Sequence, residues 1–416
     1  MSIIYRSFAK FLAKNNLWSF FYILLCLVLG KRKESFGKGI LAINTKRFRG
    51  DLEILEENGY TVYRLPFHWQ QRLLLFYSSY DYKLRNFTRN KMLDSKRNEQ
   101  VKFLYKVLSK IVFRYNIGCV IGSSIYYKQD YDYLIATKKV GIPYVVLNRE
   151  NLVIKEHTKK YTIDIVKSCS KNKYKPSAIF FHNTVVLEIY KENGYSNIDL
   201  YSYGAIRMKN FYNKYIINDN YYRKKSARKK IVLFSFFPCE GLRGVCTKEH
   251  GFYNLFSNVH NSLYELAIDY PDIDFVIKAK WGGNLVKQII SILPVSELPD
   301  NLEIIADCDV HTLMLDADIV SGFNSTTMME AAALGIPVVY PVFNESNMIE
   351  YFKYLLYSDI RKCFNIAMSK EDFKYNLISL IDKYDGIKHK CAIKAFQKYI
   401  YSGESDKFIY KLTKYC

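Results

Sequence analysis

Four polar residues in a row, Asn324, Ser325, Thr326 and Thr327, separate the strand-like run Ala317-Asp318-Ile319-Val320 from an alanine-rich stretch ending in Gly335-Ile336-Pro337. One hydroxyl at a helix N-cap satisfies one orphan backbone N–H. Three hydroxyls and an amide exceed that need. A helix N-terminus also presents outward N–H groups and the positive end of a dipole, so the surplus fits the rim of a phosphate site. Lys278 and Lys280 stand two apart at the exit of a predicted strand over 274–281, where a lysine needs an anionic partner. Together with the hydroxyls they suggest a monophosphate or diphosphate site. The alternative is plain: Ser325 as a cap, Lys280 as a solvated charge, and Glu330 as a carboxylate favoured by the helix dipole.

The elements that must position these residues alternate between strand and helix. "GILAIN" (39–44), "TVYRLP", "IGCVIG" (117–122), "IPYVVLNRE" (142–150), "SAIFFHN" (177–183) and "IDLYSYGAIRM" (198–208) read as strands with helical patterns between them. Asp51 reads as the N-cap of the first of those helices. A second series begins at "IVLFSFFP" (231–238) and continues through "DFVIKAKW", "LEIIAD" and "DIVSGF". Such alternation predicts an α/β chain with two Rossmann-like, doubly wound domains facing a cleft, each binding ligands at its strand C-termini. The expected divisions are an N-terminal helix (1–35), a first domain (36–208), a basic linker (209–230), a second domain (231–345) and C-terminal helices (346–416). The linker assignment rests on "YRKKSARKK" and the lack of any period around it.

The chain has 416 residues and a net charge of +21, a field that attracts nucleic acid, phosphorylated sugar donors or an anionic membrane. The basic residues are dispersed and no nucleic-acid module is visible, so a nucleic-acid partner is not expected. Nine cysteines are scattered singly, without metal-like spacing, and read as thiols of a reducing, cytoplasmic compartment. "LWSFFYILLCLVLG" (17–30) is apolar with basic flanks on both sides. Fourteen helical residues span only about 21 Å, short of a bilayer core, so an interfacial or core-packed helix is expected rather than a spanning one.

"DADIVSGFNSTTMMEAAALGIPVVYPVFNE" resembles the nucleotide-binding half of GT-B glycosyltransferases that build bacterial capsule and lipopolysaccharide. "LYSYGAIRMKNF" is similar to the glycine-plus-arginine segment closing the first half of such enzymes. The resemblance implies that Asn324, Ser325, Thr326 and Thr327 line the donor phosphate site. It places Glu330 at the donor's ribose or sugar, and Lys278 or Lys280 at phosphate charge. A departure is Lys278-Ala279-Lys280-Trp281, where related transferases carry Lys-x-His-Pro.

The first half should then supply the acceptor site and a base to deprotonate the attacking hydroxyl. Glu150, beside Arg149 at a strand end, is one candidate. Asp51, after the "TKRFRG" loop, is another, and His250 and His311 are candidates from the second half. No cofactor and no metal are expected, since lysines and a helix dipole can stabilise the leaving group. The expected partners are a nucleotide-sugar (CMP- or UDP-linked), a glycan or lipid-linked acceptor and the anionic inner face of the cytoplasmic membrane. The alternatives are a CDP-polyol phosphotransferase, a UDP-sugar epimerase and a basic membrane- or nucleic-acid-binding protein.

Overall fold

A computed structural model describes residues 12, 15–30, 37–48, 50–70, 91–149, 156–218, 227–240, 242, 247, 250–280, 283–294, 297–352, 354–355 and 358–416. The chain forms two compact units. Unit 1 comprises Met1–Asn151, Lys160–Asn210 and Tyr399–Cys416; unit 2 comprises Leu152–Lys159 and Phe211–Lys398.

Unit 1 holds a six-stranded sheet of β1 (Gly39–Ala42), β2 (Val62–Arg64), β3 (Ile117–Gly122), β4 (Tyr144–Leu147), β5 (Ala178–Phe181) and β6 (Asp199–Ser202). The order is β2-β1-β3-β4-β5-β6 and every pair is parallel. The central strands "IGCVIG", "YVVL" and "AIFF" are buried throughout, as expected of strands covered on both faces. Unit 2 holds β7 (Lys229–Phe234), β8 (Ile273–Lys278), β9 (Leu302–Ile305), β10 (Ile319–Gly322), β11 (Val338–Pro341) and β12 (Asn365–Ala367), also all parallel. Their order, β12-β11-β10-β7-β8-β9, is the Rossmann order, and its direction of winding reverses between β7 and β10. In unit 1 the reversal falls between β1 and β3. Gly322, at the end of β10, lets β10 and β7 approach: a Cβ there would lie 3.1 Å from the Phe234 carbonyl oxygen.

The helices are α1 (Trp18–Leu29), α2 (Asp51–Glu57), α3 (Lys91–Tyr115), α4 (Lys128–Val140), α5 (Glu156–Ser170), α6 (Thr184–Tyr190), α7 (Tyr253–Asp269), α8 (Gly283–Ile292), α9 (Val310–Asp316), α10 (Thr326–Ala333), α11 (Lys370–Ser379), α12 (Gly386–Tyr399) and α13 (Ser405–Leu412). α1 is packed through Phe21 and Leu25, with the Phe21 ring 5.4 Å from that of Phe103 on α3. Tyr115 closes the contact by donating to the carbonyls of Cys26 and Gly30. No described helix is long and apolar enough to cross a membrane.

Several expectations need correction. Residues 209–218 are not loose linker: Phe211 and Tyr212 are buried, Tyr212 stacking on Phe396. Residues 219–226 lie outside the described set. The segment 346–416 is not one helical tail. It contributes β12 and α11 to unit 2, while α13 returns to unit 1, where Phe408 and Leu412 pack on the sheet. The cysteines are not all thiols. Cys119 on β3 forms a disulfide with Cys416, 297 residues away, and Cys239 is also disulfide-bonded.

The return of the chain is tightest at Gly204, which has φ +84°. A Cβ there would stand 2.8 Å from Tyr401 Cα and 3.0 Å from Ser402 N. Gly204→Ala is therefore expected to destabilise unit 1 by about 1–3 kcal/mol, the cost of a strained backbone position. Urea unfolding measures it, and an unchanged midpoint refutes the tight return.

Candidate functional site

In unit 2 the reversal of winding puts the loops after β7 and β10 side by side, the usual crevice for a ligand of such sheets. Asn324 takes the left-handed conformation (φ 49°) that turns β10 into α10. Its side chain is spent inside the protein. The amide donates to the Glu240 and Tyr354 carbonyls, and Oδ1 accepts from the Tyr340 hydroxyl. Asn324 shapes the loop and is not placed to contact a ligand through its amide. Ser325 occupies the N-cap position without a side-chain capping bond, its Oγ lying 2.8 Å from Thr327 Oγ1. The ordinary capping role is thus not taken, and a linked pair of hydroxyls stands at the helix start. The other end is closed by Gly335 (φ 74°). The Gly335 and Ile336 N–H groups donate to the Ala332 and Ala331 carbonyls, a Schellman closure.

The two lysines part company. Lys278 ends β8 buried, and its Nζ donates to the carbonyls of Ala279 and Ala306 at 2.8 Å each. Such an ammonium holds loop backbone and is turned away from a phosphate role. Lys280 is part-exposed and its Nζ lies 2.6 Å from Glu240 Oε2, in the loop after β7. The anionic partner that the sequence demanded is thus a carboxylate of the protein.

Glu330 is buried on α10, with Oε2 3.2 Å from His311 Nε2. The His311 ring rests on Phe211. Asp309 caps α9 by accepting from the Thr312 N–H, which holds its carboxyl below the usual range. His250 is exposed, with Nδ1 3.3 Å from the Tyr351 hydroxyl. His260, which sequence reading passed over, is fully buried. Its Nδ1 donates to the Phe256 carbonyl and its Nε2 meets Ser235 Oγ at 2.8 Å. Burial drives its pKa down to about 4, so it stays neutral.

In unit 1 the N-cap of α2 is Gly50, not Asp51. Asp51 is the first helical residue, and its carboxylate meets Arg149 Nη1 at 2.5 Å and Arg207 Nη1 at 3.8 Å. Arg149 is thus at hydrogen-bond distance from the carboxylate and Arg207 stands further off. Arg149 follows β4, His182 follows β5 and Arg207 follows β6, so sheet order sets the imidazole's strand between those of the arginines. His182 is held neutral, first by burial and then by Arg207 and Arg149. Glu150 lies outside the described residues.

At the β1/β3 reversal a second polar group was missed. Asp130 on α4 is fully buried and accepts from the Ser123 N–H and hydroxyl at 3.1 Å. It also accepts from the amides of Asn44 and Gln70 at 3.4 and 3.3 Å. These bonds tie the loop after β1 to the loop after β3. The signal was present: Asp130, Tyr133, Leu134 and Thr137 form the buried i, i+3, i+4, i+7 stripe of α4. Asp132, also buried, pairs with Arg97 at 2.9 Å; no local pattern could announce that contact.

Two Rossmann-like domains of parallel strands make this a fold of the GT-B type. The chain matches no protein-family model and no curated protein. It is similar in structure to UDP-GlcNAc 2-epimerase from Neisseria meningitidis bound to UDP-GlcNAc, with 15% identity, TM-score 0.51, and 90% of this chain and 100% of that one covered. A putative UDP-N-acetylglucosamine 2-epimerase from Listeria monocytogenes gives 11% identity and TM-score 0.52 over 90% and 95%. The S. aureus MnaA–UDP structure gives 14% and 0.50 over 89% and 95%. At these identities the likeness is one of fold.

Burial raises the Asp130 pKa from 3.8 to about 6 against its four hydrogen-bond donors. Between these values the native state holds a proton that the unfolded chain has released. Its stabilisation is therefore full below about pH 4 and is lost as pH rises to about 6, by roughly 3 kcal/mol. Asp132 is shifted the same way by burial and adds to the slope. Urea unfolding across this range should show stability falling with pH, and Asp130→Asn should flatten part of the fall. A variant with the wild-type slope contradicts the assignment.

Proposed function

We propose that the chain is a nucleotide-sugar-dependent glycosyltransferase, moving a sugar from a UDP- or CMP-linked donor onto a bacterial surface glycan or glycolipid. The observation that carries this reading is the hydroxyl-bearing start of α10 at the winding reversal of unit 2, linked to Lys280 through Glu240, whose carbonyl accepts from Asn324 and whose carboxylate pairs with the lysine. Ser325, Thr326 and Thr327 bind donor phosphate with the N–H groups of the helix start. Lys280 exchanges Glu240 for that phosphate and, with the helix dipole, stabilises the departing nucleotide without a metal. Glu330, oriented by His311, faces the ribose or sugar. Glu150, Asp51 and His250 are the candidates for the base.

The UDP and UDP-GlcNAc named for the structural neighbours favour a uridine diphosphate donor as the first to test. The same neighbours support a second reading, epimerisation of a UDP-sugar. Exchange of the C2 hydrogen of UDP-GlcNAc with deuterated water, without any acceptor, distinguishes it from transfer.

On this proposal the acceptor is met at the anionic inner face of the cytoplasmic membrane. α1 carries no charge and turns Phe20, Ile23 and Leu27 outward on one stripe. On neighbouring α3 the exposed side chains include Lys102, Lys106, Lys110, Phe113 and Arg114. An apolar stripe flanked by cations suits in-plane docking on anionic lipid.

Two outcomes are expected. UDP raises the melting temperature more than CMP, CDP or GDP, and Ser325→Ala or Lys280→Gln weakens UDP binding about tenfold, the loss of one charge-assisted hydrogen bond. Wild-type affinity in both variants, measured by calorimetry, removes the phosphate assignment. Separately, the protein co-sediments with phosphatidylglycerol-containing vesicles but not with phosphatidylcholine alone. Ile23→Gln with Leu27→Gln releases it, and retention by that variant rules out docking through α1.

A further inference from the structure

We infer that the Cys119–Cys416 disulfide is a redox-operated lock. It fastens the segment Tyr399–Cys416 over the sheet of unit 1, and reduction by a dithiol frees the far end of that segment. The inference stands apart from the transfer reading above.

The segment lies along one face of the sheet. It starts at the edge where β5 and β6 end: the Asn183 amide donates to the Tyr399 carbonyl at 3.1 Å, and the Ala205 N–H to the Ile400 carbonyl at 2.8 Å. α13 then lays Phe408 and Leu412 on the apolar cluster that also holds Cys119 and Phe180, with the Phe408 ring 4.7 Å from that of Phe180. Past α13, the Tyr415 hydroxyl donates to Asp199 and lies 3.2 Å from the Tyr201 hydroxyl. A covalent anchor follows. Cys416 is bonded to Cys119 in β3, their Cα atoms 5.1 Å apart, within the span a disulfide bridges. The backbone is close as well, since a Cβ on Gly118 would lie 3.1 Å from the Cys416 carbonyl carbon.

The bond matters because the segment has little else to keep it in place. α13 has eight residues, too few to stay helical without packing. Two apolar side chains and a few hydrogen bonds at its rim do that packing, one of them from the Tyr60 hydroxyl to the Ile409 carbonyl at 3.3 Å. The cross-link joins points 297 residues apart, so it excludes every state in which the end of the segment is detached from β3.

The two sulfurs differ in access: Cys119 is wholly buried and Cys416 is half-buried. A reductant's thiolate therefore attacks Cys416 Sγ. The S–S bond breaks, a mixed disulfide forms on Cys416, and Cys119 leaves as a thiolate that takes up a proton in its apolar surroundings. The second thiol of the reductant displaces Cys416, which is protonated in turn. Two electrons pass from the dithiol, now a cyclic disulfide, to the protein, now two thiols. A disulfide oxidant runs the exchange backwards. Pairing in this chain is also selective. Among the described residues Cys26, Cys169, Cys308, Cys363 and Cys391 are thiols, and Cys308 is exposed. Where exposed thiols persist, disulfides belong chiefly to redox sensing or catalysis.

The test uses the full chain purified without reductant. A non-reducing digest is expected to yield the peptides of Cys119 and Cys416 linked, and dithiothreitol applied to the native protein should remove the link without denaturant. Hydrogen exchange at residues 405–412 should then quicken at least about tenfold, a cross-link of this kind contributing more than one decade to an opening equilibrium. Glutathione disulfide should restore the slow exchange. Cys239 is disulfide-bonded too, so Cys416→Ser is the control: its exchange should be fast with or without dithiothreitol. Absence of the linked peptides overturns the inference, as does a link that yields only in urea. Loss of the link with unchanged exchange in α13 refutes the lock, and so does a dithiothreitol response of wild-type size in Cys416→Ser. The wild-type comparison stands even where that variant fails to fold.

Discussion

Parallel pairing is the constraint from which the rest follows. Every paired strand in both sheets runs in the same direction as its neighbour. A chain leaving one strand must therefore cross back before starting the next, and each crossover here carries helix or loop over a face of the sheet. Both faces are covered, so the strands are apolar runs and the polar side chains collect at one edge. Asn44, Ser123, Arg149 and His182 stand there in unit 1; Ser235, Lys280 and Ser325 do so in unit 2.

The two units use this edge differently. At the reversal in unit 1, Asp130 draws four donors around itself and ties the loops after β1 and β3 into one buried network. The arginines and His182 then occupy the ends of β4 to β6. At the reversal in unit 2, the buried polar work is done by Asn324 and Lys278, which hold carbonyls of the surrounding loops. The hydroxyls of Ser325 and Thr327 are left linked to each other, and Lys280 to a loop carboxylate. Adjacent residues of similar type thus divide between buried scaffold positions and part-exposed ones at the sheet edge.

Much of the fold was legible because its signals are local. Burial on both faces writes each central strand as an apolar run, and Gly335 after an alanine-rich helix marks where α10 must end. Even so, Asn365–Ala367 was too short and polar to read as a strand, and Phe211 and Tyr212 sat in a stretch whose basic end suggested a linker. The site was less legible. Lys278 and Lys280 have the same side chain and opposite fates, decided by whether carbonyls lie within reach. Asp51 reads as a cap from its neighbours alone. Its pairing with Arg149 and Arg207 depends on strands nearly a hundred residues or more away, beyond any periodicity.

The position of α13 has a consequence for how the protein is made. Unit 1 encloses unit 2 in sequence, since Tyr399–Cys416 belongs to the first unit and Phe211–Lys398 to the second. On the ribosome the sheet of unit 1 emerges first, but Phe408 and Leu412 reach its apolar face only after all of unit 2 has been synthesised. At ordinary elongation rates of about 5–20 residues per second, that face waits uncovered for roughly ten seconds or longer. The inserted unit can close in the meantime. The first domain to begin folding is thus the last to finish.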